Sequence, residues 1–345
     1  HQAGLNLAAM SITGSLNNTG AITGVSSSGA SLVTTMLTGN VANLGGTMSG
    51  LNTGLSVVAS QVGGNLTNTG LITGISSSGL VLTATTISGL LSNVGSGSIT
   101  GQTGLVMTNG FIANGLTNAG LISGSSLSGV SLVNSNLVGG INNLGGTMSG
   151  VNQAGLGLNA TSVSGGLNNT GLISGVSSSG VAMTSTMLTG GISNLAGTIS
   201  GLNAGLSVVS SSVGGNITNS GLISGTSGTG MLLSSSTVTG LLSNAGSGSI
   251  TGQAGLVLTN GVLTGGLTNA GLIAGSSLAG VSLANSSLGG GISNLGGTMS
   301  GVNQAGLSLA TVNVTGGLNN TGLISGVSSS GVAMTSTMLT GGISN

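Results

Sequence analysis

Apolar residues alternate with polar ones in short runs along the whole chain. Leu55 and Val57, Leu80 and Leu82, Leu105 and Met107, and Val130 and Leu132 are each separated by a single residue, and a glycine (Gly54, Gly79, Gly104, Gly129) precedes each pair. A period of two with apolar residues on one side predicts half-buried strands. A second piece reads apolar, Thr or Ser, Gly, as in Ile72-Thr73-Gly74, Ile122-Ser123-Gly124 and Ile173-Ser174-Gly175. A third carries Leu16, Val41, Leu66, Leu91, Leu116, Ile141 and Leu167, each two residues before an asparagine. Three short β-like pieces are therefore predicted per repeat, each bounded by Gly, Ser or Asn. No 3.6-residue periodicity is sustained, so no helix is predicted.

The asparagines set the repeat. They stand at Asn18, Asn43, Asn68, Asn93, Asn118, Asn143, Asn169, Asn194, Asn219, Asn244, Asn269, Asn294, Asn320 and Asn345. Successive differences are 25, except for 143 to 169 and 294 to 320, which are 26. A fixed period of this size is the signature of a solenoid, in which each repeat is one coil stacked on the next. The fold class predicted is all-β: a single parallel β-helix of about 14 coils spanning residues 1–345 as one continuous repeat domain. It reads as a window on a longer repetitive polypeptide. A single coil buries too little apolar surface to offset its ordering entropy, so stability must be shared along the stack.

Leu16 and Asn18 share parity and should point the same way in an extended segment. One reading turns the asparagine column inward at a corner, where stacked amides bond their neighbours above and below. The other has Asn there only because it tolerates the left-handed conformation of a turn. Spacing between pieces supports closed coils. From Asn18 to Gly29, Asn43 to Gly54 and Asn93 to Gly104 the distance is always 11 residues. Yet Ile22 lies four residues after its asparagine, Met48 five and Ile99 six. One gap lengthens as the next shortens, which a closed perimeter requires and a flexible linker does not.

A longer period lies above the first. The 30 residues from Gly165 to Asn194 recur unchanged from Gly316 to Asn345, an offset of 151. Six coils thus form one super-repeat, rising roughly 29 Å at about 4.8 Å per coil. Within it, coils with a Ser-rich turn (Ser26-Ser27-Ser28) alternate with coils carrying inserts such as Gly45-Gly46-Thr47-Met48.

Composition then narrows the chemistry. The 345 residues include no Lys, Arg, Asp, Glu, Cys, Pro, Trp or Tyr, with one Phe (Phe111) and one His (His1). Without carboxylates there is no glycosidase pair, aspartic dyad or carboxylate metal ligand. Without Lys or Arg there is no phosphate clamp and no electrostatic grip on nucleic acid. Without Cys there is no disulfide, thiolate nucleophile or zinc cluster. His1 has no partner and reads as a frayed terminal side chain. No catalytic, cofactor-binding or metal site is therefore expected; the singled-out residues are the structural asparagines. No apolar run reaches the ~18 residues of a transmembrane helix. Triplets such as Asn17-Asn18-Thr19 and Asn65-Leu66-Thr67 would be glycosylation acceptors only in a eukaryotic secretory route.

Zero charge points to a surface that packs against copies of itself, since nothing on it repels a like molecule. The recurring Asn-x-Gly-x-Ile-Thr/Ser-Gly pieces (Asn18 to Gly24, Asn68 to Gly74, Asn118 to Gly124, Asn169 to Gly175, Asn219 to Gly225) resemble the repeats of bacterial autotransporter passengers and filamentous-haemagglutinin-like surface proteins. The resemblance implies a right-handed parallel β-helix, secretion and a role at the cell surface. Those families carry charged and aromatic residues that are missing here, which favours a structural fibre over host-cell adhesion. The expected function is a non-enzymatic extracellular filament or surface layer whose partners are copies of itself, with other surface components as further candidates. The alternative is the stalk of a surface adhesin. A flat-surface or ice-binding role would need a regular outward Thr array, and the outward candidates vary (Thr23, Ser49, Thr73, Thr100, Ala274).

Overall fold

A computed structural model describes residues 2–345; His1 lies outside the described residues. The fold is an all-β parallel solenoid of about fourteen turns of about 25 residues, with no helix among the described residues. Each turn contributes four strands, except the last, which contributes three. In the first they are β1 (Leu5–Ala8), β2 (Ser11–Ile12), β3 (Leu16–Asn18) and β4 (Ala21–Gly24). Later turns repeat the set, and within each compact unit strands of one kind pair in parallel into a sheet, named here after the first strand of its kind.

The chain divides into two compact units: residues up to Gly165 with Gly171–Val176, and Gly166–Thr170 with Ser177–Asn345. In the first unit, the β1 sheet runs from Leu5–Ala8 to Leu156–Asn159 and the β3 sheet from Leu16–Asn18 to Ile141–Asn143. In the second, the β1 sheet runs from Val181–Thr184 to Val332–Thr335 and the β3 sheet from Leu167–Asn169 to Ile343–Ser344.

The sequence predicts three pieces per coil and the structure has four. The extra one is β2, only two residues long, as in Phe111–Ile112 and Gln61–Val62. Two residues are too short to display a period. The register of β4 shows how the uneven gaps compensate. Ile22 pairs with Met48, Met48 with Ile72, Ile72 with Ile99 and Ile99 with Ile122, so the inward side chain of β4 stays in one column whatever the insert before it.

Each coil is closed around a thin apolar core. In one of them Leu105 and Met107 of the β1 sheet, Ile112 of β2, Leu116 of β3 and Ile122 of β4 all point inward and are buried. Every such side chain packs on its equivalents in the coils above and below, so burial is completed only by stacking. The turn from β1 to β2 makes this closure possible. Its apex residue has a left-handed backbone in every coil: φ is 50° at Thr34, 48° at Ala59, 52° at Asn109 and 49° at Ala160. That single residue shifts the in–out phase by one position, so Met107 and Ile112 both face inward although five residues separate them.

A second left-handed position lies in the β3–β4 turn. Gly45, Gly145 and Gly296 have φ of 73°, 73° and 71°, but the equivalent residue 151 positions after Gly45 is Ala196, at 59°. A Cβ in this conformation costs about 1 kcal/mol or more. Replacing Ala196→Gly is therefore expected to stabilise its turn by up to about 1 kcal/mol, partly offset by the freedom Gly gains in the unfolded chain. A urea titration of the variant beside the parent checks it; an unchanged or lower midpoint would show that the turn carries no strain.

Candidate functional site: the asparagine column and the β4 face

The asparagines close the β3 strands, and their side chains turn inward at the β3–β4 corner. From Asn18 to Asn294 all twelve are buried, Asn320 is partly covered and Asn345 is exposed. In the first unit the Nδ2 of each donates to the Oδ1 of the next: 2.7 Å from Asn18 to Asn43, 2.8 Å from Asn43 to Asn68, 2.9 Å from Asn68 to Asn93, and 2.8 Å from Asn93 to Asn118 and from Asn118 to Asn143. In the second unit the same bond runs from Asn169 through Asn345 at 2.6–2.8 Å.

The second amide hydrogen is shared between two backbone carbonyls. For Asn93 these are Gly97 of its own turn and Leu121 of the next coil, both at 3.1 Å. For Asn118 they are Gly120 and Thr147, again at 3.1 Å. Those carbonyls fix which end of each amide is nitrogen, and so every amide in a unit points the same way. Aligned dipoles polarise one another along the column. The glycine that accepts is always the one just before β4, at two residues beyond the asparagine for Asn68, three for Asn43 and four for Asn93. The amide thus anchors the start of β4, which is why inserts of different length leave the register intact. Left-handed backbone occurs in these turns too, but at Gly45 and Gly145 rather than at the asparagines.

A second polar column lies at the β1–β2 corner, and the sequence pattern alone did not reveal it. Directly after the left-handed apex, Thr35, Ser60, Thr85, Ser135, Thr161, Thr186, Ser211, Ser236 and Ser286 turn buried hydroxyls inward. Thr85 Oγ1 donates toward the carbonyls of Val57 in the preceding coil (2.8 Å) and Thr83 in its own (3.1 Å). Backbone N–H groups feed the column from the other side, as Gly110 N–H donates to Ser135 Oγ at 3.2 Å. The signal is a Ser or Thr every 25 residues, hidden in a chain where Ser and Thr are everywhere. Gly110, Gly261 and Val312 interrupt it, so the column is less strict than the asparagine one. Thr85→Val is expected to cost about 1–2 kcal/mol, the net worth of a buried hydroxyl bond. Thermal unfolding would show this, and a loss as large as for an asparagine substitution would refute the ranking.

The β4 sheet presents the most regular outer surface. Its central outward residue is Thr23, Ser49, Thr73, Thr100, Ser123 and Ser149 in successive coils of the first unit. Hydroxyls there bond along the column in pairs: Ser49 to Thr23 at 3.3 Å, Thr100 to Thr73 at 3.1 Å and Ser149 to Ser123 at 2.9 Å. In the second unit the column continues with Ser and Thr except at Ala274. No helix among the described residues is long and apolar enough to cross a membrane. Comparison with protein-family models, curated proteins and solved structures finds no match to this chain.

Proposed function

We propose that this chain is a structural, non-enzymatic element of an extracellular filament or surface layer, built from uncharged β-solenoid rods that associate with copies of themselves. The observation that carries the reading is the pair of internal polar columns in a chain without charge. Residues that elsewhere perform chemistry are here turned inward and committed to one another. Asn amides bond Asn amides, and Ser and Thr hydroxyls bond carbonyls of neighbouring coils. What remains outside is neutral, hydroxylated and partly apolar, and it recurs every coil.

A place among autotransporter-passenger or filamentous-haemagglutinin-like surface proteins is part of this proposal. Stacked parallel coils of about 25 residues are compatible with it, and the Asn-x-Gly-x-Ile-Thr/Ser-Gly pieces support it. Electron microscopy of the purified chain over a range of concentrations tests the function. Bundles or sheets of laterally associated rods are expected as concentration rises, at a threshold nearly independent of salt, because there is no surface charge for salt to screen. Rods that stay single and dispersed at high concentration would overturn it.

A further inference from the structure

Exposed large apolar side chains are not scattered evenly over the four sheets. Among the described residues, more than half of them lie on the β4 sheet or at its two corners. At the β3–β4 corner two neighbouring columns alternate out of phase. In the first unit, the residue after the asparagine is large in every second coil (Leu44, Val94, Leu144), with Thr69 and Ala119 between. The first residue of β4 is large in the other coils (Leu71, Leu121, Leu172), with Ser98 and Thr147 between. From the coil of Asn43 onward each coil of this unit therefore shows one large apolar side chain and one smaller residue, and the large ones in a column stand about 9.6 Å apart. Leu44 is 45 % exposed. At the opposite corner Val25 and Ile75 are 85 % and 71 % exposed. The second unit keeps the alternation in most coils, with Leu195 and Leu295 in one column and Leu222, Leu272 and Leu323 in the other; the coil of Asn244 breaks it, with Ala245 and Ser249 at the two positions.

We propose that the β4 face is the surface through which copies of this chain pack side by side. The proposal rests on the self-associating function above and names its contact. Three features select a second copy as the occupant. The alternation of large and small is self-complementary: an identical face displaced by one coil sets its leucines against the small residues of the first. Only a partner with the same axial repeat keeps that match over many coils. The chain has no charged side chain apart from any carried by His1 or the termini, so a charged partner would bury its charges without compensation, whereas a copy brings none. The central hydroxyls already bond one another along the axis, which lowers what they lose when water is excluded. A strip about 20 Å wide over seven coils covers roughly 700 Å² per partner, close to the ~800 Å² of a stable interface.

The test compares two double variants of the full chain with the parent, by sedimentation and electron microscopy. Leu71→Lys with Leu121→Lys places two like charges on the β4 face; Met36→Lys with Met187→Lys places two on the β2 sheet, where both methionines are about half exposed (51 % and 53 %). The first is expected to raise the concentration needed for bundling about a hundredfold or abolish it, and the second to leave it near the parent's. A milder pair, Leu71→Thr with Leu121→Thr, copies the residue at Thr47 and Thr147 and so keeps the fold; it is expected to weaken bundling about tenfold. If the parent bundles and the β4 variants bundle equally well, the face is wrong and the function stands. If the parent never associates, both fall.

Discussion

Asn118→Asp is expected to convert a protein indifferent to pH into one that unfolds as pH rises. The parent carries no Asp, Glu, Lys, Arg, Cys or Tyr, so between the ranges of its termini and His1 it has almost nothing to titrate. Asn118 is fully buried, receives a hydrogen bond from Asn93 Nδ2 and donates one to Asn143 Oδ1, both at 2.8 Å. A protonated aspartic acid reproduces both of these bonds, with its carbonyl accepting and its hydroxyl donating, but it has no second hydrogen for the carbonyls of Gly120 and Thr147. An ionised one cannot donate: it would face the Oδ1 of Asn143 and the carbonyls of Gly120 and Thr147, with no cation anywhere in the coil. Burial and those oxygens favour the neutral form, so the folded-state pKa of the introduced acid lies above its unfolded value of about 3.9, by about 3–5 units for a fully buried group. The sign follows from linkage. Below about pH 4 both states are protonated and stability lies below the parent's by a constant amount, about 1 kcal/mol for the lost second hydrogen bond; above it the unfolded state releases its proton first, and stability falls further until the folded-state group ionises as well. At about 1.4 kcal/mol per unit, the loss by neutral to mildly alkaline pH is roughly 4–7 kcal/mol. Denaturant titrations from pH 3 to 9 would show a flat parent and a steeply falling variant. A variant as flat as the parent would mean that position 118 is open to water and the column is not a buried network. Asn118→Ala completes the set: it should lose about 2–5 kcal/mol at every pH, because it strands a donor and an acceptor.

Much of this architecture was legible because a solenoid writes its geometry directly into spacing. Asn18, Asn43 and Asn68 pair in register because each coil has the same perimeter. The alternation of Leu55 and Val57 is a strand because nothing else places two apolar residues one apart beside a glycine. Less visible were the features that depend on a single backbone angle. Thr34, Ala59 and Ala84 sit at φ of 48–50°, yet Thr and Ala are poor residues for that conformation and give no warning of it. Only the equivalent Asn109, Asn134, Asn260 and Asn285 hint at a turn. The Ser and Thr column at that corner was hidden for the same reason: its inward phase follows from the left-handed residue before it, which composition does not reveal. At the β3–β4 corner the logic runs the other way. The asparagine is explained by its amide bonds, and glycines such as Gly45 take the strained conformation.

The glycines sort into classes that one substitution series separates. Gly74 ends a β4 strand where the chain doubles back into β1. A Cβ there would lie 2.1 Å from the carbonyl oxygen of Ser78 and 2.4 Å from that of Asn52, backbone atoms of its own coil and of the coil before. Gly104 opens the β1 segment on the other side of the equivalent turn, where an added Cβ would lie 2.6 Å from the carbonyl oxygen of Gly129 and 2.7 Å from Ile122 Cγ2. The obstacles are backbone oxygens and, at Gly104, also a methyl of the buried Ile122 side chain. Relief requires moving a strand that is bonded to coils above and below, so Gly74→Ala is expected to cost about 3 kcal/mol or more, at the upper end of overpacking effects. Gly104→Ala should cost slightly less, since part of its clash is with a side chain. At Gly20 a Cβ meets nothing within 4 Å and φ is not in the left-handed range, so Gly20→Ala should be neutral or stabilise by about 0.4–1 kcal/mol. Gly45 also has open space but φ of +73°, and Gly45→Ala should cost about 1–2 kcal/mol through conformation alone. Unfolding midpoints of the four single variants give the order 74, 104, 45, 20 from most to least harmful. If Gly20→Ala proves as damaging as Gly74→Ala, glycine serves here through general flexibility, and the tight β4-to-β1 turn is not what fixes the cross-section of the coil.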